Sequence, residues 1–142
     1  MSINARDKGI RGERRIIDWL NPIIKEICEE MGKEVIVLQR NTLQWDAGGQ
    51  DITGCDFLNC EVKNTKSQTI SQMDSYWAQC VSQRRKGQID VLFYFGIQRH
   101  IRCRMLGWAG QDDPGVPCIV DISAETFEVW FKAKLRAYLV DT

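Results

Sequence analysis

The segment Ile89–Phe95 (IDVLFYF) constrains this chain more than any other stretch. A run this apolar and this short reads as a central strand with both faces covered. Covering two faces takes helices, and the chain supplies them. Arg6 to about Leu20 carries Ile10, Ile16, Ile17 and Leu20 at helical spacing. Asn21-Pro22 has the form of a restart, Asn as cap and Pro at the first helical position, opening a second helix that runs to about Met31 and stops at Gly32. Thr69 to Arg85 is helical and ends at Gly87. Ser123 caps a last helix through about Leu139, with Phe127, Trp130, Phe131, Leu135 and Tyr138 as its buried stripe. Between the helices, Val35–Arg40 reads as a strand and Asp51–Gly54 with Phe57–Lys63 as a hairpin. His100–Leu106 is expected to pair with Ile89–Phe95, and Cys118–Ile122 forms a short strand after a Gly110–Pro117 loop. The expected class is α/β, a mixed central sheet flanked by helices in the order αβββαββ(β)α.

A chain of 142 residues is expected to form one domain, residues 1–142, large enough to bury a core without staples. No apolar run is long enough to cross a bilayer, and Met1–Arg15 is too polar for a secretory leader, so a cytoplasmic protein without membrane partners is expected. The six cysteines form no Cys-x-x-Cys pair and His100 is the only histidine, a poor basis for structural zinc; they read as reduced and mostly buried. A formal net charge of zero argues against a purely electrostatic nucleic-acid binder. The charge is nevertheless segregated. Arg6, Lys8, Arg11, Arg14 and Arg15 crowd the start, Arg84, Arg85 and Lys86 form a second cluster, and Arg99, Arg102 and Arg104 a third. Such clusters can make a basic face on a neutral protein.

The chemistry concentrates between Asp51 and Lys63. On a strand Glu61 and Lys63 point to one face, roughly 7 Å apart, while Cys60 and Val62 point into a core. The hairpin returns Asp51 beside Glu61, so two carboxylates and an ammonium converge, as a metal-dependent phosphodiesterase requires. Acid-x-Lys alone arises by chance about once in a chain of this size; its place at the end of an apolar strand, across a turn from Asp51, gives it weight. Gly48-Gly49-Gln50 precedes that acid and allows close backbone approach. In the first helix Gly9 and Gly12 precede Glu13. Two helix glycines, each costing roughly 1 kcal/mol, imply that something comes close to this helix, with a nucleic-acid backbone as one candidate. On the helix after the hairpin, Gln72, Tyr76, Gln79 and Gln83 share one face, a stripe of neutral donors suited to phosphate oxygens. Trp19, Trp77 and Trp130 read as core, Trp45 and Trp108 as loop residues, His100 as a hairpin residue, and Arg40-Asn41 as a strand end that could contact DNA.

Taken together, Lys8-Gly-Ile-Arg-Gly-Glu13, Asp51 and Glu61-x-Lys63 resemble the PD-(D/E)xK nuclease superfamily, and most of all the archaeal-type Holliday junction resolvases and related phage endonucleases. The likeness covers about Arg6 to Gln83, with Gln50 standing where the family usually has Pro. It implies a restriction-endonuclease-like fold and Mg²⁺-dependent hydrolysis of DNA phosphodiesters, with Mn²⁺ as a substitute. Asp51, Glu61, the Val62 carbonyl and Glu13, directly or through a water, are then the expected metal ligands. Lys63 orients the attacking water or steadies the transition state, and Gln79 or Gln72 holds phosphate. Lys8, Arg11, Arg14, Arg15, Arg40, Asn41, Lys66 and Arg84 are the expected DNA contacts. Symmetric nicking of a four-way junction implies a homodimer. Two other readings stay open: a nuclease of this fold acting on other DNA, and a non-cleaving DNA-binding protein.

Overall fold

A computed structural model of the chain describes residues 5–42, 50–66, 68–109 and 116–142. Trp45, the Asp46–Gly49 loop and most of the Gly110–Pro117 loop lie outside them. Helix α1 spans Ala5–Glu30, followed by strands β1 (Gln39–Arg40), β2 (Ile52–Thr53) and β3 (Leu58–Lys63). Helix α2 (Ile70–Ser82) leads to β4 (Ile89–Phe95), β5 (Ile101–Ala109), β6 (Val116–Ser123) and helix α3 (Ala124–Val140). Among the described residues the strands form one six-stranded sheet in chain order, β1 to β6. β3 and β4 are parallel and the other neighbours antiparallel. The parallel pair needs a crossover, and α2 is that crossover.

The mixed sheet flanked by helices follows the sequence expectation, for the reason given by β4. Val91, Phe93 and Phe95 turn to a core built with α1 and α3, while Leu92 and Tyr94 turn to Met73 and Trp77 of α2. α3 buries Phe127, Phe131, Leu135 and Leu139, one residue per turn. Trp19 and Trp130 lie partly buried against the same core. Among the described residues no helix is long and apolar enough to cross a membrane.

Trp108 and Pro117, both expected in loops, are instead register partners in β5 and β6; three further local expectations fail, each for a definable reason. The first is the break at Asn21-Pro22. α1 runs through it with Pro22 inside the helix. The buried stripe Ile16, Leu20, Ile24, Ile27 continues across the proline, and its packing outweighs the lost backbone bond. Asn21 is no cap. Its side chain accepts from Leu38 N (2.8 Å) and donates to Leu38 O (3.2 Å), as a neighbouring strand would. That explains the second failure: of the expected strand Val35–Arg40 only Gln39–Arg40 pairs with β2, because β2 is itself two residues long and Leu38 is already satisfied. The third concerns Gly12. A Cβ there would stand 2.9 Å from Asn64 Cβ and 3.2 Å from the Phe95 ring. What approaches the helix at Gly12 is therefore the protein's own sheet, not a nucleic acid. Gly9 lacks that constraint, with only the Glu13 carboxylate near at 3.9 Å.

Candidate functional site

β2 stops after two residues, yet the chain before it keeps hold of β3 through side chains. Asp51 N donates to Cys60 O (2.9 Å), and the Gln50 side-chain oxygen accepts from Cys60 N (2.9 Å). One residue further on, Asp51 Oδ2 accepts from Val62 N (2.8 Å). Glu61 is thus clamped between two side chain–backbone bonds, on Cys60 and on Val62. A strand residue sends its N–H and C=O to the same side, so the Val62 carbonyl faces the same edge as Asp51. Asn41 closes the ring, donating its backbone N–H to Asp51 O and its side-chain amide to Gln50 O, both at 2.9 Å.

The alternation expected of β3 holds. Cys60 and Val62 enter the α1–α3 core. Glu61, 2% exposed, lies beside Lys63, whose Nζ is 3.3 Å from Glu61 Oε1 and 5.1 Å from the centre of the Tyr76 ring. Glu13, also buried, accepts from Arg40 Nε at 3.1 Å. Burial pushes the Glu61 carboxyl up to about 8, the Asp51 charge adds to this, and Lys63 opposes it. Burial likewise raises Asp51 against the pull of the Val62 amide, and raises Glu13, where Asp51 again adds and Arg40 opposes. The acids stand in a cleft of about 880 Å³ whose lining also includes Arg6, Lys8, Arg40, Asn41, Lys66, Tyr76 and Gln79.

Among the described residues no three His, Cys, Asp or Glu side chains gather as a metal-holding group. The cleft instead offers the Asp51–Glu61 pair and the Val62 carbonyl, all hard oxygens. That donor set suits an oxygen-seeking cation which keeps several waters. Glu13, held by Arg40, fits a role through a water better than a direct bond.

Of the expected site residues, Glu13, Asp51, Glu61, Val62, Lys63 and Gln79 share the cleft with Lys8, Arg40, Asn41 and Lys66. Gln72 is elsewhere: its side chain accepts from Thr69 N in the capping box of α2. Arg84 is also elsewhere, bound to buried Asp90 at 2.8 Å. Arg11, Arg14 and Arg15 are exposed on α1 outside the cleft lining, Arg15 lying 4.8 Å over the Phe95 ring. Sequence reasoning passed over Gln50 as a departure from a motif; only the end of β2 reveals that its amide replaces a missing ladder bond. It also passed over Asn64, which lines the cleft and donates to Lys8 O at 2.8 Å, tying the start of α1 to the end of β3. No protein-family model, curated protein or solved structure matches this chain.

Proposed function

We propose that this chain is a Mg²⁺-dependent, structure-selective DNA endonuclease of restriction-endonuclease-like fold, a junction resolvase working as a homodimer. One observation carries the reading: buried Glu61 and half-buried Asp51 are held together with the Lys63 ammonium in an open cleft edged by Arg6, Lys8, Arg40 and Lys66. Burying like charges side by side costs folding free energy, and a fold keeps such an arrangement where the charge has a use. Asp51, Glu61 and the Val62 carbonyl would hold the cation, with Glu13 reaching it through water. Bound there, Mg²⁺ supplies positive charge against the phosphate and makes a water more acidic.

The remaining work falls to the chain. The basic edge of the cleft takes the phosphate backbone, which gives affinity without reading sequence. Lys63, steadied by Glu61 and the Tyr76 ring, donates to the attacking water or to the charge that grows on the phosphate oxygens. Water adds to phosphorus as it gives up a proton to solvent, and the bond to the leaving sugar oxygen breaks, that oxygen taking up a proton from solvent in turn. Gln79, neutral, can hold a phosphate oxygen without competing for the cation. A four-way junction has two-fold symmetry, so paired nicks need two copies of this site.

The test is a nicking assay on a four-way junction, a linear duplex and a single strand, with Mg²⁺ and with EDTA. Symmetric Mg²⁺-dependent nicks in the junction are expected. Equal cutting of all three would leave a nuclease without branch preference, and binding with no cutting would leave a DNA-binding protein.

A further inference from the structure

The turn between β4 and β5 has a backbone unlike the rest. Gln98 and Arg99 stand at φ 55° and 61°, the two non-glycine residues at positive φ among those described. Left-handed backbone without glycine persists only where the surroundings hold it, and it gathers at functional sites. Here the hold is visible. Gly96 N donates to His100 O (2.8 Å) and Arg99 N to Gly96 O (3.0 Å). The Arg99 guanidinium donates to Thr65 O (2.9 Å) and to the Asn64 side chain, and lies 4.9 Å over the Phe95 ring.

What this braced turn presents is Ile97. At 85% exposure it is the most exposed large apolar side chain among the described residues. Folding gains nothing from it there. The start of α2 is tied to the same strand end, since Gln68, just before the helix, donates to the Phe95 carbonyl (3.4 Å). The turn is anchored to the cleft itself, because Asn64 and Thr65, which Arg99 grips, are both lining residues. Glu61 is level with Leu92 in the sheet, and the five residues from Leu92 to Ile97, past the end of β4, span at most roughly 17 Å even when extended. That is about five nucleotides at 3.4 Å per phosphate along one strand. The charge around the turn suits a polyanion: Arg15 and Arg99 both lie over the Phe95 ring, and His100 and Arg102 line a hollow with Ile97, where Glu125 is the one acid.

We propose that Ile97 is a wedge, held out by the Gly96–His100 turn, that enters the opened base stack at the branch of the DNA whose backbone lies in the cleft. Apolar side chains that part base steps act in this way in bent and kinked DNA. The inference rests on the reading of the cleft as a DNA site and adds to it the element that tells a branch from a plain duplex.

The test uses the full chain, a four-way junction with 2-aminopurine at the branch, and a linear duplex of the same arms, in EDTA so that nothing is cut. Wild type is expected to raise the 2-aminopurine fluorescence and to bind the junction about tenfold more tightly than the duplex, because an open branch spares part of the unstacking cost that a continuous duplex imposes. Ile97→Ala should lose both while binding the duplex within about twofold of wild type, and Ile97→Leu should keep both; thermal melts confirm that each variant is folded. No fluorescence rise with wild type, or an unchanged preference in folded Ile97→Ala, overturns the wedge. If the wedge signals appear but Mg²⁺ brings no cleavage, the reading of the acids as a catalytic site fails and the wedge stands.

Discussion

Two buried acids sit on adjacent central strands, Asp90 on β4 and Glu61 on β3, and their surroundings are built on opposite terms. Asp90, at the start of β4, is 3% exposed and fully answered. One oxygen accepts from the Asn59 amide and the other from Arg84, both at 2.8 Å. Two residues along β3 from Asn59, Glu61 is as deeply buried but shares its surroundings with a second carboxylate, and its proton is held up to about pH 8. The first cluster is what a fold does with an acid it needs for structure: one charge with donors on both sides. The second sets two carboxylates side by side with Lys63 as their neighbouring cation, the arrangement on which the proposed catalytic role rests. Burial marks neither as functional; the balance of donors to acids separates them.

The widest separation should come from removing one acid of each kind. Glu61→Gln is expected to lower Mg²⁺-dependent nicking about a thousandfold while the protein stays folded. It should also flatten the pH dependence of stability in the absence of divalent metal. In the wild type the folded Glu61 carboxyl keeps its proton up to about 8, whereas the unfolded one releases it near 4.5. Between those values the folded state binds more protons, so thermal stability should fall as pH rises from 5 to 8, and the variant should show a shallower fall, keeping only what the raised Asp51 and Glu13 carboxyls contribute. A Glu61→Gln protein that still cuts, or that melts well below wild type at pH 8, would erase the contrast.

Asp90→Ala should do the reverse. It removes one of the two acceptors of the Asn59 amide, which keeps Cys80 O at 2.7 Å, and leaves the half-exposed Arg84 without its carboxylate, costing roughly 2 kcal/mol in a denaturant titration, with the nicking rate per folded molecule unchanged. A loss of cutting without a loss of stability would assign Asp90 to the site. The smallest effect belongs to Gln50→Ala. It deletes the acceptor for Cys60 N, costs about 1 kcal/mol, speeds hydrogen exchange at that amide and lowers kcat more than it changes KM. Unaltered exchange at Cys60 would mean that Gln50 does not clamp β3.

The same contrast shows what could be read before the structure. β4, β3 and α3 were legible because a two-sided run, an alternating strand and a one-per-turn stripe each leave a direct mark in sequence. Glu61 and Lys63 could be placed together by that alternation. Asp90 could not be distinguished as paired, because its partners Asn59 and Arg84 come from two other elements. Arg84 read as a free cation for the same reason. Gln72 matched the donor stripe by spacing, but spacing does not reveal that a side chain at the third helical position is already spent on the cap. Pro22 misled because the strength of the buried stripe on either side of it is a property of the core. Gln50 had no signal: an amide standing in for a strand is visible only where the strand ends.

The Asn21–Leu38 pair bears on how this molecule keeps to itself. A sheet edge with open amides and carbonyls invites another chain to add a strand. On the β1 side the invitation is small. The strand is two residues long, and the backbone groups of the residue before it are already taken by a side chain anchored in the middle of α1. A single asparagine, placed where a helix break is expected, thus also guards one flank of the sheet against aggregation.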